Sequence, residues 1–345
     1  MFNREEIETQ AQKLFEKLRY ATKEDGNKYT LEDCLAASPK ILEINKLKKE
    51  KNAVILAHSY TTPDIVYGVG DFKGDSYYLS VAARDAKEAI IVFAGVVFMA
   101  ETAKILSPQK TVIIPDPESG CGLADNFYVE DLQALKRKYP NAPVLCYINS
   151  TAQVKALSDI CVTSSVVYDI VAKMKERDII FVPDRLMAEN IRIEMKRRNI
   201  DKKIISGNSA CCVHERFNID DLRKLKSKYP NAKAVSHPEC KSEITGASDF
   251  VGGTGNMMKY CKESNADTFI ILSEWGLVNR LEIENPHKKF ISPLMSACTT
   301  MKYNTLDKIL EALKNPHSSQ IVDVEESVRK QALNAINRMF EYAKK

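Results

Sequence analysis

The 345-residue chain carries 50 Lys and Arg against 46 Asp and Glu, a formal net charge of +4, with 44% hydrophobic and 28% charged residues, as in a soluble globular protein of two or three domains. The basic runs KLKKEK (46–51) and KRRN (196–199) have no interleaved aromatic residues, so they read as solvated helix faces and nucleic acid is not an expected partner. The longest uncharged apolar run, AIIVFAGVVFMA (89–100), falls short of the ~20 residues of a membrane span, and MFNREEIETQAQKLFEKL has no signal-peptide h-region, so a cytoplasmic protein with no membrane partner is expected.

Residues 1–50 read as helical. Three related copies follow, anchored on the pairs Asn52-Ala53, Asn141-Ala142 and Asn231-Ala232, at steps of 89 and 90 residues. The match is plainest in DLQALKRKYPNA (131–142) against DLRKLKSKYPNA (221–232). A period this long is too large for a solenoid unit and fits a small α/β domain used three times. Each copy opens on a short apolar run after a charged helix end: AVILA (53–57), PVLCY (143–147) and KAVS (233–236). A polar segment and a helix follow, then the central strands EAIIVFAG (88–95), RDIIFVP (177–183) and DTFIILSE (267–274). The helices FMAETAKIL (98–106), LMAENIRIEM (186–195) and GLVNRLEIEN (276–285) come next, and KTVIIP (110–115), KKIIS (202–206) and KKFIS (288–292) close the units. Strands alternating with helices imply parallel sheets covered on both faces. The expected fold is α/β: three pseudo-symmetric three-layer α/β/α domains with short parallel sheets around a pseudo-threefold axis. The divisions fall at 1–130 (with the N-terminal helices), 131–218, and 219–345 (with a C-terminal helix). That last helix has Val324, Val328, Ile336 and Phe340 at helical spacing and is expected to pack back on the body.

Ligands of parallel α/β sheets meet the loops at the carboxyl ends of strands. Six positions past each anchor Asn stand His58, Tyr147 and His237, and eight past stand Tyr60, Asn149 and Glu239. At 23 or 24 positions past come the hydroxyls of Ser76, Ser164 and Thr254. Singly, each is an ordinary loop residue or helix cap. Placed alike in three copies, the nine side chains converge on one pocket if the units surround an axis, and that pocket suits a small, polar, anionic ligand.

Nine cysteines stand at 34, 121, 146, 161, 211, 212, 240, 261 and 298. A disulfide framework is not expected in a reducing compartment, and Cys34, Cys146, Cys161, Cys240 and Cys261 read as small buried hydrophobes. Cys121, Cys211 and Cys298 each follow the last strand of a copy, 69, 70 and 67 positions past its anchor. Three thiolates on one axis suit two metals. A zinc ion takes three protein ligands and keeps a place open, or is closed by His214 or His237. A [4Fe–4S] cluster on three cysteines leaves one iron free as a Lewis acid.

The stretches ILAHSYTTPDI, FKGDS, FAGVVFMAETAKIL, TVIIPDPESGCGLAD, CYINSTAQVKALSDICVTSS, CCVHERF, SHPECKSEI, DFVGGTGNM and ACTTMKYNTLDKILEAL resemble, in order, the motifs of the quinolinate synthase family. The resemblance implies three α/β domains around a [4Fe–4S] cluster held by three cysteines, in a transferase of de novo NAD biosynthesis. Such enzymes condense iminoaspartate with dihydroxyacetone phosphate to quinolinate, releasing phosphate and two waters. An aspartate oxidase or aspartate dehydrogenase is the implied supplier of the imine. Carried onto this chain, the cluster ligands are Cys121, Cys211 and Cys298, with Cys211 preferred to Cys212 because the family pattern is Cys-x-x-His and His214 follows. The implied substrate-binding positions are His58, Ser76, Tyr147, Ile148, Asn149, Ser164, His237, Pro238, Glu239 and Thr254, Ile148 and Pro238 through their backbone. Glu239 is the expected general base, with His237, Tyr60 and Tyr147 as proton partners. The chain departs from the family at HSYTT (58–62), where His-x-Tyr-Gln is common, and its segment to GDS is one residue longer.

Overall fold

The computed structural model describes residues 2–344, and the copies become three parallel sheets in succession along the chain. The first contains β1 (Ala53–His58), β2 (Phe72–Gly74), β3 (Ile90–Ala94) and β4 (Thr111–Ile113). The second contains β5 (Val144–Tyr147), β6 (Ile160–Val162), β7 (Asp178–Val182) and β8 (Lys203–Ser206). The third contains β9 (Lys233–Ser236), β10 (Phe250–Val251), β11 (Thr268–Leu272) and β12 (Lys289–Ile291). All three share one order, β2-β1-β3-β4, β6-β5-β7-β8 and β10-β9-β11-β12. The expected architecture of short parallel sheets flanked by helices is the one the chain adopts.

The strands β2, β6 and β10 were not part of the sequence reading. At two or three residues inside polar stretches they are too short to carry a hydrophobic period. The central strands are different: every residue of β1 and β5 is buried, as parallel sheets covered on both faces require. Phe93 on β3 and Phe181 on β7 hold equivalent places at 2% and 0% exposure, each contributing about 1.5–3 kcal/mol of burial.

The repeated Tyr-Pro-Asn-Ala ends a helix identically twice. The N–H groups of Tyr139 and Tyr229 donate to the carbonyls of Leu135 and Leu225 at 2.9 and 2.8 Å, and those of Ala142 and Ala232 return to the two tyrosine carbonyls at 3.1 and 3.0 Å. Proline then forbids another helical turn. The first copy lacks the proline; there Asn52 adopts a φ of 50° just after helix Leu31–Glu50.

After β12 the chain leaves the third sheet. Helix Leu306–Lys314 packs on helix Leu31–Glu50, and β13 (Ile321–Val322) pairs antiparallel with β4. Helix Glu326–Lys344 lies across helix Ala152–Ala156 and β6 of the second unit. It buries Ala332, Ala335, Ile336, Met339 and Phe340, a helical stripe, while Val324 and Val328 are only partly covered. Among the described residues no helix is long and apolar enough to cross a membrane.

Two glycines let the units touch. A Cβ on Gly276 would lie 2.7 Å from the carbonyl oxygen of Ser59, and one on Gly253 would lie 2.6 Å from the Ser164 hydroxyl. Only glycine admits backbone this close.

Candidate active site

In a sheet of this order the connections leaving the first and third strands run to opposite sides, which opens a crevice at their carboxyl ends. His58 ends β1, Tyr147 ends β5, and His237 follows β9 directly. Tyr60, Asn149 and Glu239 stand two residues further on. Ser76 opens helix Ser76–Asp85, Thr254 opens helix Thr254–Glu263, and Ser164 follows β6. All nine line one cavity, with about 610 Å³ of empty space counted out to the solvent at its mouth. The hydroxyls are not helix caps: Asp75 caps the first helix through the N–H of Tyr78, and Gly253 precedes the other. Ile148 and Pro238 lie outside the lining. The N–H of Ile148 donates to Val162 at 2.8 Å, and the carbonyl of Pro238 accepts from Asn190 at 2.7 Å.

One device delivers all three thiols to this cavity. The first N–H of the helix after each unit's third strand, from Val97, Arg185 and Trp275, donates to the carbonyl of Ser119, Ser209 and Ser296 at 2.9, 2.8 and 2.9 Å. Two residues beyond each serine stand Cys121, Cys211 and Cys298, all in the cavity wall. The triple Ser-x-Cys is a sequence signal that the spacing argument passed over, and it points to Cys211; Cys212 is exposed and outside the lining. Burial pushes all three thiols above their ordinary range, and a bound cation is what holds such thiols deprotonated. Glu239 Oε1 and Asn149 Oδ1 are buried without a hydrogen-bond partner among the described residues, which is costly unless a ligand uses them. Soft sulfur ligands with unspent oxygen acceptors around them fit a resident metal group. A second possible metal set, Cys211, His214 and Glu239, brings its ligand atoms within 4.8 Å of one another.

The electrostatics follow from burial. His58 Nδ1 accepts the N–H of Tyr60 at 3.2 Å, and His237 Nδ1 accepts the N–H of Glu239 at 3.3 Å. The same two-residue turn thus fixes both imidazoles as Nε2–H donors. His237 Nε2 lies 3.1 Å from the Ser164 hydroxyl. Burial lowers both histidines to a pKa of about 3, helped at His58 by Arg280 and Lys302 and at His237 by His214, so both are neutral at pH 7. Burial alone would raise Glu239, but His237 and His214 nearby, with hydrogen bonds from His214 and the Tyr147 hydroxyl, hold it below the ordinary carboxylate range. The Tyr60 hydroxyl bridges Thr254 at 2.9 Å and Ser273 at 3.3 Å, and Ser273 reaches His214 Nε2 at 3.1 Å.

Several residues of this network had no signal in the sequence. Asp75, Thr163, Ser165 and Met301 line the cavity, and Glu274 and Lys302 lie behind it. The buried Glu274 carboxylate accepts the N–H of Cys298 at 3.0 Å and pairs with Lys302 at 3.2 Å, while Lys302 donates to the carbonyl of Tyr60 at 2.6 Å. The loop carrying the third thiol is thereby tied to the first unit.

A family model described as quinolinate synthetase A protein matches residues 42–341. The chain belongs to this family. It is 44% identical over 298 residues to the quinolinate synthase of Clostridium perfringens strain 13, spanning 86% of this chain and 97% of that protein. Identity to the quinolinate synthase of Clostridioides difficile strain 630 is 44% over 302 residues, 87% of this chain and 97% of that one. With the quinolinate synthase of Caulobacter vibrioides strain NA1000 it is 40% over 340 residues, 97% of this chain and 89% of the other. The resemblance read from the motifs is therefore borne out, and the chain is an enzyme of the quinolinate synthase family. Every cavity residue named above, from His58 to Lys302, falls inside the matched region.

Proposed function

We propose that the cavity condenses iminoaspartate with dihydroxyacetone phosphate to quinolinate, releasing phosphate and two waters, as a step of de novo NAD biosynthesis. The reaction balances without oxidant or reductant. One observation carries the reading: each of three units sends one thiol, one hydroxyl and two polar side chains into the same cavity.

Cys121, Cys211 and Cys298 would hold a [4Fe–4S] cluster, which supplies a Lewis-acid iron with a place left for a substrate oxygen. The chain's own groups do the rest. The Nε2–H of His58, the amide of Asn149 and the hydroxyls of Ser164 and Thr254 donate hydrogen bonds to the two carboxylates of iminoaspartate. Ser76 and the backbone amides of its helix start that Asp75 leaves free receive the triose phosphate, since a helix start favours anions. Glu239 accepts the protons released during isomerisation and ring closure, its Oε1 being buried with no hydrogen-bond partner among the described residues. Tyr147, whose hydroxyl burial and Glu239 make harder to ionise, returns a proton to the leaving hydroxyls, with His237 and Tyr60 as the further proton partners. Ile148 and Pro238, outside the lining, act through their backbone, which holds the turns that carry Asn149 and Glu239.

The test is direct. Protein purified without oxygen receives dihydroxyacetone phosphate and iminoaspartate, the latter made in place by an aspartate oxidase or dehydrogenase. Quinolinate and phosphate should appear in equal amounts. Intact cluster absorption with no quinolinate overturns the proposal.

A further inference from the structure

We propose that a surface chamber beside the active cavity is a docking site for a phosphate dianion on its way in, with Lys73 and Arg280 as its cations and Asp75 as the latch between the two spaces. It rests on the proposed function only in taking that dianion to be the triose phosphate.

The chamber has about 800 Å³ of empty space and opens to solvent. It shares Asp75, Ser165 and Thr254 with the active cavity, so these side chains are the partition between the two. The partition is held by one carboxylate that touches all three units. Asp75 Oδ1 accepts the N–H of Tyr78 at 2.9 Å, in the first unit. Its Oδ2 accepts the Ser165 hydroxyl of the second at 2.8 Å and the Gly255 N–H of the third at 3.1 Å. A hydroxyl and an N–H at the start of a ten-residue helix are the donors an external anion seeks. An arriving dianion therefore competes with Asp75 for the groups that keep the partition shut.

On the outer side positive charge is in excess. Lys73, Lys259 and Arg280 line the chamber, against the single carboxylate of Asp75 among the described lining residues. Arg280 is fixed: it donates to the Ser59 hydroxyl at 2.7 Å and to Glu284 Oε1 at 3.1 and 2.7 Å. Lys73 stands with its ammonium 4.8 Å over the Tyr67 ring. Burial and the neighbouring Arg280 make its charge unfavourable, Glu284 and Asp71 offset this in part, and it forms no ion pair among the described residues. A guanidinium shared with Glu284 beside an ammonium in no ion pair leaves the chamber with more positive than negative charge. A cleft of this kind concentrates anions and speeds their arrival. Two cations in one chamber match a phosphate monoester better than a single carboxylate.

The experiment uses the oxygen-free holoenzyme, its Lys73→Gln and Lys73→Arg variants, and inorganic phosphate as the probe, titrated by calorimetry and phosphorus line broadening. Wild type should bind phosphate, Lys73→Gln about tenfold more weakly and Lys73→Arg within about twofold of wild type. In turnover, Lys73→Gln should raise the KM for dihydroxyacetone phosphate about tenfold, leave kcat within about twofold, and flatten the dependence of kcat/KM on salt. Absence of phosphate binding in wild type overturns the inference, as does equal binding by wild type and Lys73→Gln. An enzyme that makes no quinolinate sinks the proposed reaction instead, and the phosphate titration still decides the chamber.

Discussion

His214 Nδ1 lies 2.6 Å from Glu239 Oε2, with both side chains almost fully buried. The same nitrogen is 3.3 Å from the sulfur of Cys211. One imidazole thus links a thiol of the second unit to the carboxylate of the third at the sulfur wall of the cavity.

Replacing Glu239 by Gln keeps the shape and removes the proposed base. The visible absorption and iron content of Glu239→Gln should match wild type, while kcat falls by about 10²–10⁴. Wild-type turnover in this variant would remove Glu239 from the mechanism.

The adjacent cysteines separate cleanly. Cys211 lines the cavity and Cys212 is exposed. Iron analysis of oxygen-free preparations should find Cys211→Ala depleted and Cys212→Ala close to wild type in both iron and activity. The reverse pattern would shift the register of the second unit by one.

Acid should weaken the fold through two neutral histidines. His58 and His237 have folded pKa values of about 3, against about 6.5 when free. Between those values the unfolded chain binds protons that the folded chain refuses, so stability is complete above pH 6.5 and falls as pH drops. At pH 5 each histidine costs on the order of 2 kcal/mol. The Tm of the protein should therefore fall between pH 7 and 5, and less steeply in His58→Gln. Identical slopes in the two proteins would contradict the buried neutral state of His58.

The pair behind the third thiol predicts a strong asymmetry. Burial raises the Glu274 carboxyl and Lys302, 3.2 Å away, pulls it back. Lys302→Met strands that acid and should cost about 3–5 kcal/mol in urea denaturation. Adding Glu274→Gln should return most of the loss, because no buried charge then lacks a partner. A double variant as unstable as the single one would show that the pair is not what couples the two positions.

Much of the site was legible because the chain writes it three times. Counting from Asn52, Asn141 and Asn231 placed His58, Tyr60, Asn149, Glu239 and the thiols without any contact information, since equivalent steps along like strands end at equivalent places. What escaped was whatever depends on contacts between distant segments. Asp75 reads locally as a turn residue before a helix, and only the fold brings Ser165 and Gly255 onto its second oxygen. Lys302 meets the carbonyl of Tyr60 across 242 positions. The strands β2, β10 and β13 are two or three residues long, and they form because an edge is offered by β1, β9 or β4 rather than through a pattern of their own.

The central claim is that three sulfurs, one from each unit, hold a cluster with one iron left for the substrate. An iron-57 Mössbauer spectrum of the oxygen-free protein, taken with and without quinolinate, tests it most directly. The account predicts that about a quarter of the iron signal moves when quinolinate is added, as one open site in a four-iron cluster requires. A spectrum unchanged by saturating quinolinate, with every iron already held by the protein, would contradict it.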